Sequence, residues 1–268
     1  MKIYYGKAIY DQKEIQASLK VLKDKSLTLI DGPAVKKLEN KISNSFGKKY
    51  GLMVNSGSSA NLLALASLNL KKGSEVITTT LTFSTTVAPI YQLGLIPHFI
   101  DVDKNTFVAN VDQIIKAINK KTKAIMPVHL GGQSPDLISI SEIAENHNIL
   151  VVEDASHAIG SKYYSGSDDV NVGSCLHSKI TTFSFHPVKN MTMGEGGATL
   201  TNDQKIDDKI KLLRNHGIKR STNPQTPWVY KMDDVGYNYR ASDINCALGL
   251  SQLDRLDQFV KKRCDFSC

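Results

Sequence analysis

The sequence contains little cysteine and no long apolar run, and these two absences exclude several classes of protein. Its four cysteines among 268 residues form neither a C-x-x-C pair nor a regular framework, which disfavours a disulfide-stapled secreted domain and a metal site. No apolar run approaches the roughly 18–20 residues of a membrane span, and the N-terminal residues lack the apolar stretch of a signal peptide. We therefore expect a cytoplasmic protein with reduced thiols, no bound metal and no membrane partner.

Arginine is also scarce, since it supplies five of the 33 basic residues and first appears at Arg214. Proteins that read DNA bases rely on arginine forks and clustered basic helices, so nucleic acid is not an expected partner. The net charge of +7 suits an anionic ligand and is equally compatible with plain solubility. With 41% apolar and 22% charged residues, the chain can bury a large core, and intrinsic disorder is disfavoured.

Short apolar segments alternate with amphipathic ones from Tyr50 onward. The candidate strands are residues 51–54, 75–79, 97–101, 124–128, 150–153, 181–185 and 198–201. Helical periodicity lies between many of them, for example at residues 112–118 and 139–147. Continuous apolar strands separated by helices predict an α/β fold, in which a mostly parallel sheet is covered by helices on both faces to give three layers.

Helices are also predicted at both ends of the chain. Asp11 and Glu14 form a capping-box pattern before one amphipathic stretch, and Pro33 opens a second. A single long helix is predicted to begin after Ser242 and to extend past Val260. No linker rich in Pro, Gly or Ser divides the chain, so we expect an N-terminal arm and helix at residues 1–32, one large domain at 33–263 and a short end at 264–268.

A lysine on a turn is the strongest local signal for chemistry. Pro187 forces a turn after the strand that ends near Ser184, and Lys189 follows on that turn before the glycine-rich residues 194–197. A lysine desolvated at the end of a buried strand has a lowered pKa, and its neutral amine can form a Schiff base. The alternative is an ordinary solvated lysine, so the assignment depends on the other residues of the site.

An acidic residue and a histidine follow another predicted strand. Asp154 comes at the carboxyl end of this strand, where open α/β sheets bind ligands, and His157 lies three residues further on. Asp154 could keep the ring nitrogen of pyridoxal phosphate (PLP) protonated, and His157 could reach a neighbouring ring oxygen. The alternatives are a helix N-cap for Asp154 and a structural role for His157.

A third segment, Asn55-Ser56-Gly57-Ser58-Ser59-Ala60, joins a predicted strand to a helix that begins near Ser59. Small residues there would let backbone N–H groups and the helix dipole hold a phosphate, although many such turns bind nothing. The segment lacks both the P-loop and the G-x-G-x-x-G patterns, which disfavours a mononucleotide or dinucleotide fold. Phe83 could stack on a flat ring or belong to the core.

Taken in this order, the segments resemble the fold-type I PLP enzymes, and more narrowly the sugar aminotransferases of the DegT/DnrJ/EryC1/StrS family. The resemblance extends over essentially the whole chain. Its motifs are EDASH (153–157), FSFHPVK (183–189), GEGG (194–197), RNHG (214–217) and GYNYR (236–240). The segments PWVY (227–230) and ALGLSQL (247–253) are similar to the branch of UDP-4-amino-4,6-dideoxy-N-acetyl-β-L-altrosamine transaminases, which serves pseudaminic acid synthesis.

The resemblance implies a role for each residue of the site. It makes Lys189 the Schiff-base lysine and Asp154 the partner of the pyridinium nitrogen, as the two catalytic residues. The cofactor-binding residues that it implies are Gly57, Ser58, Ser59, Phe83, Asp154, His157, Ser184, Lys189 and Asn238, the last of which would reach the phosphate of a neighbouring subunit. Ser58 stands where the family usually has Thr, and Asn61 stands where Leu is common, so that no role is predicted for Asn61.

The implied activity is a PLP-dependent transfer of an amino group from an amino acid, L-glutamate, to the C4 ketone of a nucleotide-linked 4-keto-6-deoxy sugar. The resemblance further implies a UDP-linked sugar in pseudaminic acid synthesis and a homodimer with shared sites. Because family members continue into a smaller C-terminal domain, we expect residues 33–263 to be the PLP-binding large domain and the small domain to be missing.

Three alternatives stay open at this point. A transaminase for another nucleotide-linked 4- or 3-keto sugar would have the same motifs. A sugar 3-dehydratase of the family would have His in place of the Schiff-base lysine, so Lys189 argues against it. A truncated, non-catalytic remnant of the fold would be free to lose Lys189, Asp154 and Asn238, all of which are present.

Overall fold

The computed structural model describes residues 6–26 and 28–267. Residues 1–5 of the expected N-terminal arm and Cys268, one of the four expected thiols, lie outside the described residues. The described part contains eleven strands: β1 (Tyr50–Val54), β2 (Glu75–Thr79), β3 (Ile96–Ile100), β4 (Thr122–Met126), β5 (Leu150–Asp154), β6 (Lys162–Ser165), β7 (Asp168–Asn171), β8 (Ile180–Ser184), β9 (Gly197–Thr201), β10 (Ile218–Arg220) and β11 (Tyr230–Met232).

The same residues contain nine α-helices and one short 3-10 turn. The helices are α1 (Gln12–Lys23), α2 (Pro33–Ser45), α3 (Gly57–Ser67), α4 (Ser84–Gln92), α5 (Val111–Ala117), α6 (Leu137–Asn146), α7 (Gln204–Arg214), α8 (Asp243–Leu253) and α9 (Leu256–Ser267), and the 3-10 turn is Leu130–Gly132. None of the helices in the described part of the chain has the length and apolar character needed to cross a bilayer.

Seven strands form the central sheet, in the order β1-β9-β8-β5-β4-β2-β3. Strands β8, β5, β4, β2 and β3 are parallel neighbours, whereas β9 runs antiparallel to both β8 and β1. All seven predicted strands are present, with ends that differ by two residues at most. The prediction of a mostly parallel sheet is therefore confirmed.

Helices cover both faces of this sheet because successive strand residues point to opposite sides. On one face, Val152 and the apolar residues of α3 and α7 form a continuous core. On the other, Phe183 packs with residues of α2 and α8, while Val151 packs with residues of α5 and α6. The three-layer arrangement follows from this alternation.

The last predicted helix is two helices rather than one. Helix α8 ends at Leu253 and α9 begins at Leu256, and the N–H of Arg255 between them donates to Gln252 O at 3.0 Å. The Arg255 guanidinium contacts the carboxylates of Glu14, at 3.1 Å, and Asp11, at 2.9 Å. The prediction of a single helix was wrong because the apolar spacing continues across the break, which is set by these polar contacts.

Helix α1 begins with the predicted capping box and packs against α8 through Glu14. Burial alone would raise the pKa of Glu14, but hydrogen bonds from the Asp11 N–H, Gln252 and Arg255 outweigh it and lower the pKa to about 2. The N-terminal helix is thus held to the large domain by a buried carboxylate. The boundary between residues 32 and 33 stays a prediction.

Two short hairpins were not predicted from the sequence. Residues 160–197 contain β6 paired with β7, and the antiparallel pair β10–β11 follows α7. The β6–β7 hairpin is largely exposed and has polar stretches such as Asp168–Asn171. Strands β10 and β11 have only three residues each, which is shorter than the four to eight alternating residues that identify a strand in a sequence.

Candidate active site

The predicted site residues gather at one edge of the sheet because of how its strands run. Asp154 ends β5, and Ser184 ends the parallel neighbour β8. Ser184 pairs with Gly197, which in turn pairs with Val54 at the end of β1. The turn that follows β1 therefore reaches the same edge as the residues that follow β5 and β8.

Asp154 is buried, with 4% of its surface exposed. Its Oδ1 accepts hydrogen bonds from the Ser156 N–H at 3.1 Å and the Ser156 hydroxyl at 2.6 Å. Its Oδ2 accepts from Asn61 Nδ2 at 2.8 Å and from the Thr86 hydroxyl at 2.7 Å. No helix begins in residues 155–161, so Asp154 is not a helix N-cap, and its carboxylate is held at the strand end by donors from neighbouring elements.

Sequence reasoning missed three residues around Asp154. Asn61 and Thr86 contact its carboxylate, and Thr182 contacts Asn61. The Thr182 hydroxyl donates to Asn61 Oδ1 at 2.6 Å and so orients the amide that reaches Asp154. The available signal was a single Asn inside an otherwise apolar helix segment, because a polar side chain buried in such a segment needs polar partners. Which partners it has depends on tertiary contacts.

Lys189 lies on the predicted turn, with its N–H donating to His186 O at 2.9 Å. The Arg263 guanidinium in α9 donates to Val188 O at 3.2 Å and to Lys189 O at 2.9 Å. Burial lowers the pKa of the Lys189 ammonium, the nearby Asp154 carboxylate opposes this shift, and the positive charge of Arg263 adds to it. The pKa of Lys189 is thus shifted in the direction that its predicted chemistry requires.

His157 shares this environment. Burial lowers its pKa, as does the charge of Lys189, while the Asp154 carboxylate opposes the shift. Its Nδ1 accepts a hydrogen bond from the Gly131 N–H at 3.2 Å, which leaves Nε2 as the other polar atom of the ring. His157 and Lys189 line one cavity of about 750 Å³ together with Arg263. The structure therefore brings Asp154, His157 and Lys189 together.

The N-terminus of α3 lies against the end of β8. A Cβ atom added to Gly57 would lie 2.5 Å from the Cβ of Ser184, so only glycine allows this approach. Ser56 caps the helix by accepting the Ser59 N–H at 3.1 Å. Within the described residues, the N–H groups of Gly57 and Ser58 have no acceptor. Together with the Ser184 hydroxyl, they form a donor set suited to an anion.

The hydroxyl of Ser59 is engaged within this turn, where it donates to Asn55 Oδ1 at 2.6 Å. Phe83 is 69% exposed at the start of α4, one turn before Thr86, which contacts Asp154. Asn238 is exposed beside the Asn55 turn, and its Oδ1 accepts from Arg240 at 2.9 Å. The cofactor contacts predicted for these three residues stay predictions.

The arrangement combines a buried carboxylate, a lysine whose pKa is lowered and a helix N-terminus with N–H donors available for an anion. Among the described residues, no group of three or more His, Cys, Asp or Glu side chains could hold a metal ion. The site therefore suits a phosphorylated ligand that has a basic ring nitrogen for Asp154 and a carbonyl carbon for Lys189.

We predict that the amine of Lys189 titrates below its ordinary pKa of 10.5 and that Arg263→Gln raises the midpoint by about half a pH unit. The shift is upward because removal of a nearby positive charge favours the protonated amine. Trace labelling with acetic anhydride across a pH series, quantified by peptide mass spectrometry, measures the midpoint. Lys262→Gln, the matched control, removes a charge from the neighbouring position and should move it less. A Lys189 midpoint at or above 10.5, or equal shifts in both variants, would contradict this electrostatic picture.

Comparison with known proteins identifies the family. The sequence profile of the DegT/DnrJ/EryC1/StrS aminotransferase family matches residues 8–267. A UDP-4-amino-4,6-dideoxy-N-acetyl-beta-L-altrosamine transaminase of Campylobacter jejuni is 38% identical over 263 residues, which make up 97% of this chain and 66% of that protein. The chain spans a little less than two thirds of the length of the curated relatives that it matches.

Two solved structures share the fold. Helicobacter pylori PseC, an aminotransferase involved in the biosynthesis of pseudoaminic acid, superposes with a TM-score of 0.87 at 31% identity, over 96% of this chain and 66% of that one. An E. coli GDP-4-keto-6-deoxy-D-mannose-3-dehydratase with bound hydrated PLP superposes with a TM-score of 0.88 at 30% identity, over 99% of this chain and 71% of that one. These matches confirm the resemblance carried by the motifs: the chain belongs to the DegT/DnrJ/EryC1/StrS aminotransferase family.

Proposed function

We propose that this chain is the PLP-binding domain of a nucleotide-sugar aminotransferase. The observation that carries the proposal is that Lys189, with its lowered pKa, interacts with the buried Asp154 carboxylate at the sheet edge where α3 begins. Family membership supports the reaction class. The related dehydratase with bound hydrated PLP supports the cofactor.

The residues present fit PLP on chemical grounds. When bound, PLP supplies a carbonyl carbon for amines and a pyridine ring that accepts electrons from the adjacent carbon. The Gly57 and Ser58 N–H groups and the Ser184 hydroxyl would hold its phosphate. These groups can lie close together because residue 57 is glycine, since a Cβ there would clash with Ser184. Phe83 would stack on the ring, and His157 would reach its phenolic oxygen.

Lys189 is both the point of attachment and the group that moves a proton. Its lowered pKa increases the fraction of neutral amine at physiological pH, and only the neutral amine can act as a nucleophile or base. With PLP bound, Lys189 Nζ would be the group that carries a proton between the cofactor and C4 of the sugar. Arg263 favours this neutral state and holds the lysine turn through its backbone carbonyls.

Asp154 would hold the ring nitrogen of PLP in its protonated form, in which the ring accepts negative charge. Ser156 fixes one oxygen of this carboxylate with two hydrogen bonds. The low exposure of Asp154 keeps water from competing for the ring proton.

The proposed substrates are L-glutamate as amino donor and a UDP-linked 4-keto-6-deoxy-N-acetylhexosamine as acceptor, with a place in pseudaminic acid synthesis. The name of the Campylobacter transaminase supports a UDP-linked sugar, and that of Helicobacter PseC supports the pathway. A GDP-perosamine synthase of E. coli, 37% identical over 235 residues, supports the alternative of another nucleotide-linked keto sugar. Lys189 argues against the chemistry of the related E. coli GDP-4-keto-6-deoxy-D-mannose-3-dehydratase, and a cytoplasmic location stays a prediction.

We predict that borohydride reduction of the chain with PLP places the pyridoxyl group on Lys189, because this amine combines a lowered pKa with the neighbouring Asp154. Peptide mapping by mass spectrometry locates the label. Lys189→Ala should lose the covalent label, whereas Lys162→Ala, which removes an exposed lysine, should retain it. A label on another lysine of the native chain, or a chain that stays colourless with PLP, would falsify the assignment and favour a non-catalytic remnant.

The proposed assembly is a homodimer in which each site uses both chains. Asn238 and Arg240 pair on an exposed segment, and the nearby β10–β11 hairpin exposes large apolar side chains, among them Trp228 and Met232. Exposed apolar groups of this size are typical of surfaces that another protein covers. In this arrangement Asn238 donates to the phosphate bound by the partner chain.

We predict that Lys189→Ala and Asn238→Ala chains, each inactive alone, regain about a quarter of native activity on mixing, because half of the randomly formed dimers contain one intact site of two. Transamination assays after subunit exchange, with native mass spectrometry to count heterodimers, measure this. Lys189→Ala mixed with Asp154→Ala is the negative control, since both residues belong to one chain's site. Proven exchange without recovery, or a monomer fully loaded with PLP, would rule out shared sites.

A further inference from the structure

Asn61 is a polar side chain inside an otherwise apolar part of α3. It is 1% exposed, and its neighbours Ala60, Leu62, Leu63, Ala64 and Leu65 are buried in the same helix. A buried amide is destabilising unless its donors and its acceptor have hydrogen-bond partners. The partners of Asn61 therefore indicate what its side chain does.

The Asn61 amide has one orientation that satisfies its surroundings. Nδ2 donates to Asp154 Oδ2 at 2.8 Å and to Thr85 O at 3.3 Å, and Oδ1 accepts from the Thr182 hydroxyl at 2.6 Å. A flipped amide would place its oxygen against the Asp154 carboxylate and against a carbonyl, where both contacts are repulsive. The N–H donor is therefore locked toward Asp154.

The other donors to Asp154 are not all held in one orientation. A carboxylate has about four acceptor positions, and Ser156, through two groups, Thr86 and Asn61 occupy them. The Thr86 hydroxyl also lies 2.7 Å from the Thr82 hydroxyl, so it can turn its proton there and leave an acceptor position vacant. Asn61 has no such alternative, because both acceptors that its Nδ2 faces, Asp154 Oδ2 and Thr85 O, would repel the amide oxygen after a flip.

We propose that Asn61 is a positioning residue, which holds Asp154 Oδ2 in place while the Thr86 hydroxyl yields its acceptor position to the ring N–H of the cofactor. The inference rests on the proposed function, since it assigns Asp154 to a pyridine nitrogen. Asn61 contacts the carboxylate and not the substrate, so it acts through Asp154. Its removal should weaken the hold of Asp154 on the ring proton without abolishing PLP binding.

The test follows the protonation of the ring nitrogen directly, by 15N NMR of the full chain loaded with 15N-labelled PLP across a pH series. Asn61→Leu keeps the approximate volume and removes the amide. In this variant we expect the ring nitrogen of PLP to lose its proton about one pH unit lower than in the native chain. We also expect the half-reaction of the variant with L-glutamate to slow about tenfold. Thr182→Val, which removes only the hydroxyl that orients the amide, should shift both in the same direction by less.

The matched control is Thr78→Val, which deletes a buried hydroxyl bonded to Met126 O at 2.9 Å, outside the contacts of Asp154. It should cost comparable thermal stability and leave the 15N titration unchanged. If Asn61→Leu does not fold, the 15N titration of Thr182→Val provides the test. An unchanged ring titration in the folded variants overturns the role of Asn61 and leaves the proposed function standing. A native chain that does not bind PLP overturns both.

Discussion

The carboxylate of Asp154, buried at the end of β5, is the constraint on which the site depends. A charge with 4% exposure is tolerated only because four donor groups from three side-chain positions and one backbone N–H surround it. These donors come from α3, α4 and the turn after β5, so the carboxylate can be satisfied only when all of these elements are docked on the sheet. The position of the carboxylate therefore depends on the packing of these elements.

The rest of the site is arranged around this charge. The antiparallel β9 between β8 and β1 brings the α3 N-terminus against Ser184, where Gly57 permits close contact. The turn after β8 keeps Lys189 half-buried, so that burial and Arg263 lower its pKa while Asp154 limits the shift. A buried carboxylate, a lysine with a lowered pKa and a helix N-terminus with available N–H donors therefore lie at one edge of the sheet, which is the usual ligand position in open α/β folds.

Much of this was predictable from the sequence, and the failures have physical causes. The strands are continuous apolar runs, and Asp154 and Lys189 follow two of them, so local pattern placed both residues correctly at strand ends. The contacts of Asn61 were not predictable, because its partner Asp154 lies 93 positions away along the chain and the Thr182 hydroxyl that it accepts from is 121 positions away. The break before α9 was missed because Arg255 acts through side-chain contacts that apolar spacing does not register.

The most direct test of the account is the half-reaction of Asp154→Asn with L-glutamate, followed by stopped-flow absorbance of the bound cofactor. Asparagine keeps the shape of the side chain and removes the negative charge that we propose holds the ring proton. We expect that PLP still attaches to Lys189 and that its conversion slows about 100-fold or more, equivalent to about 2.7 kcal/mol of barrier. Conversion within twofold of the native rate, with PLP fully bound, would contradict the central place given to Asp154.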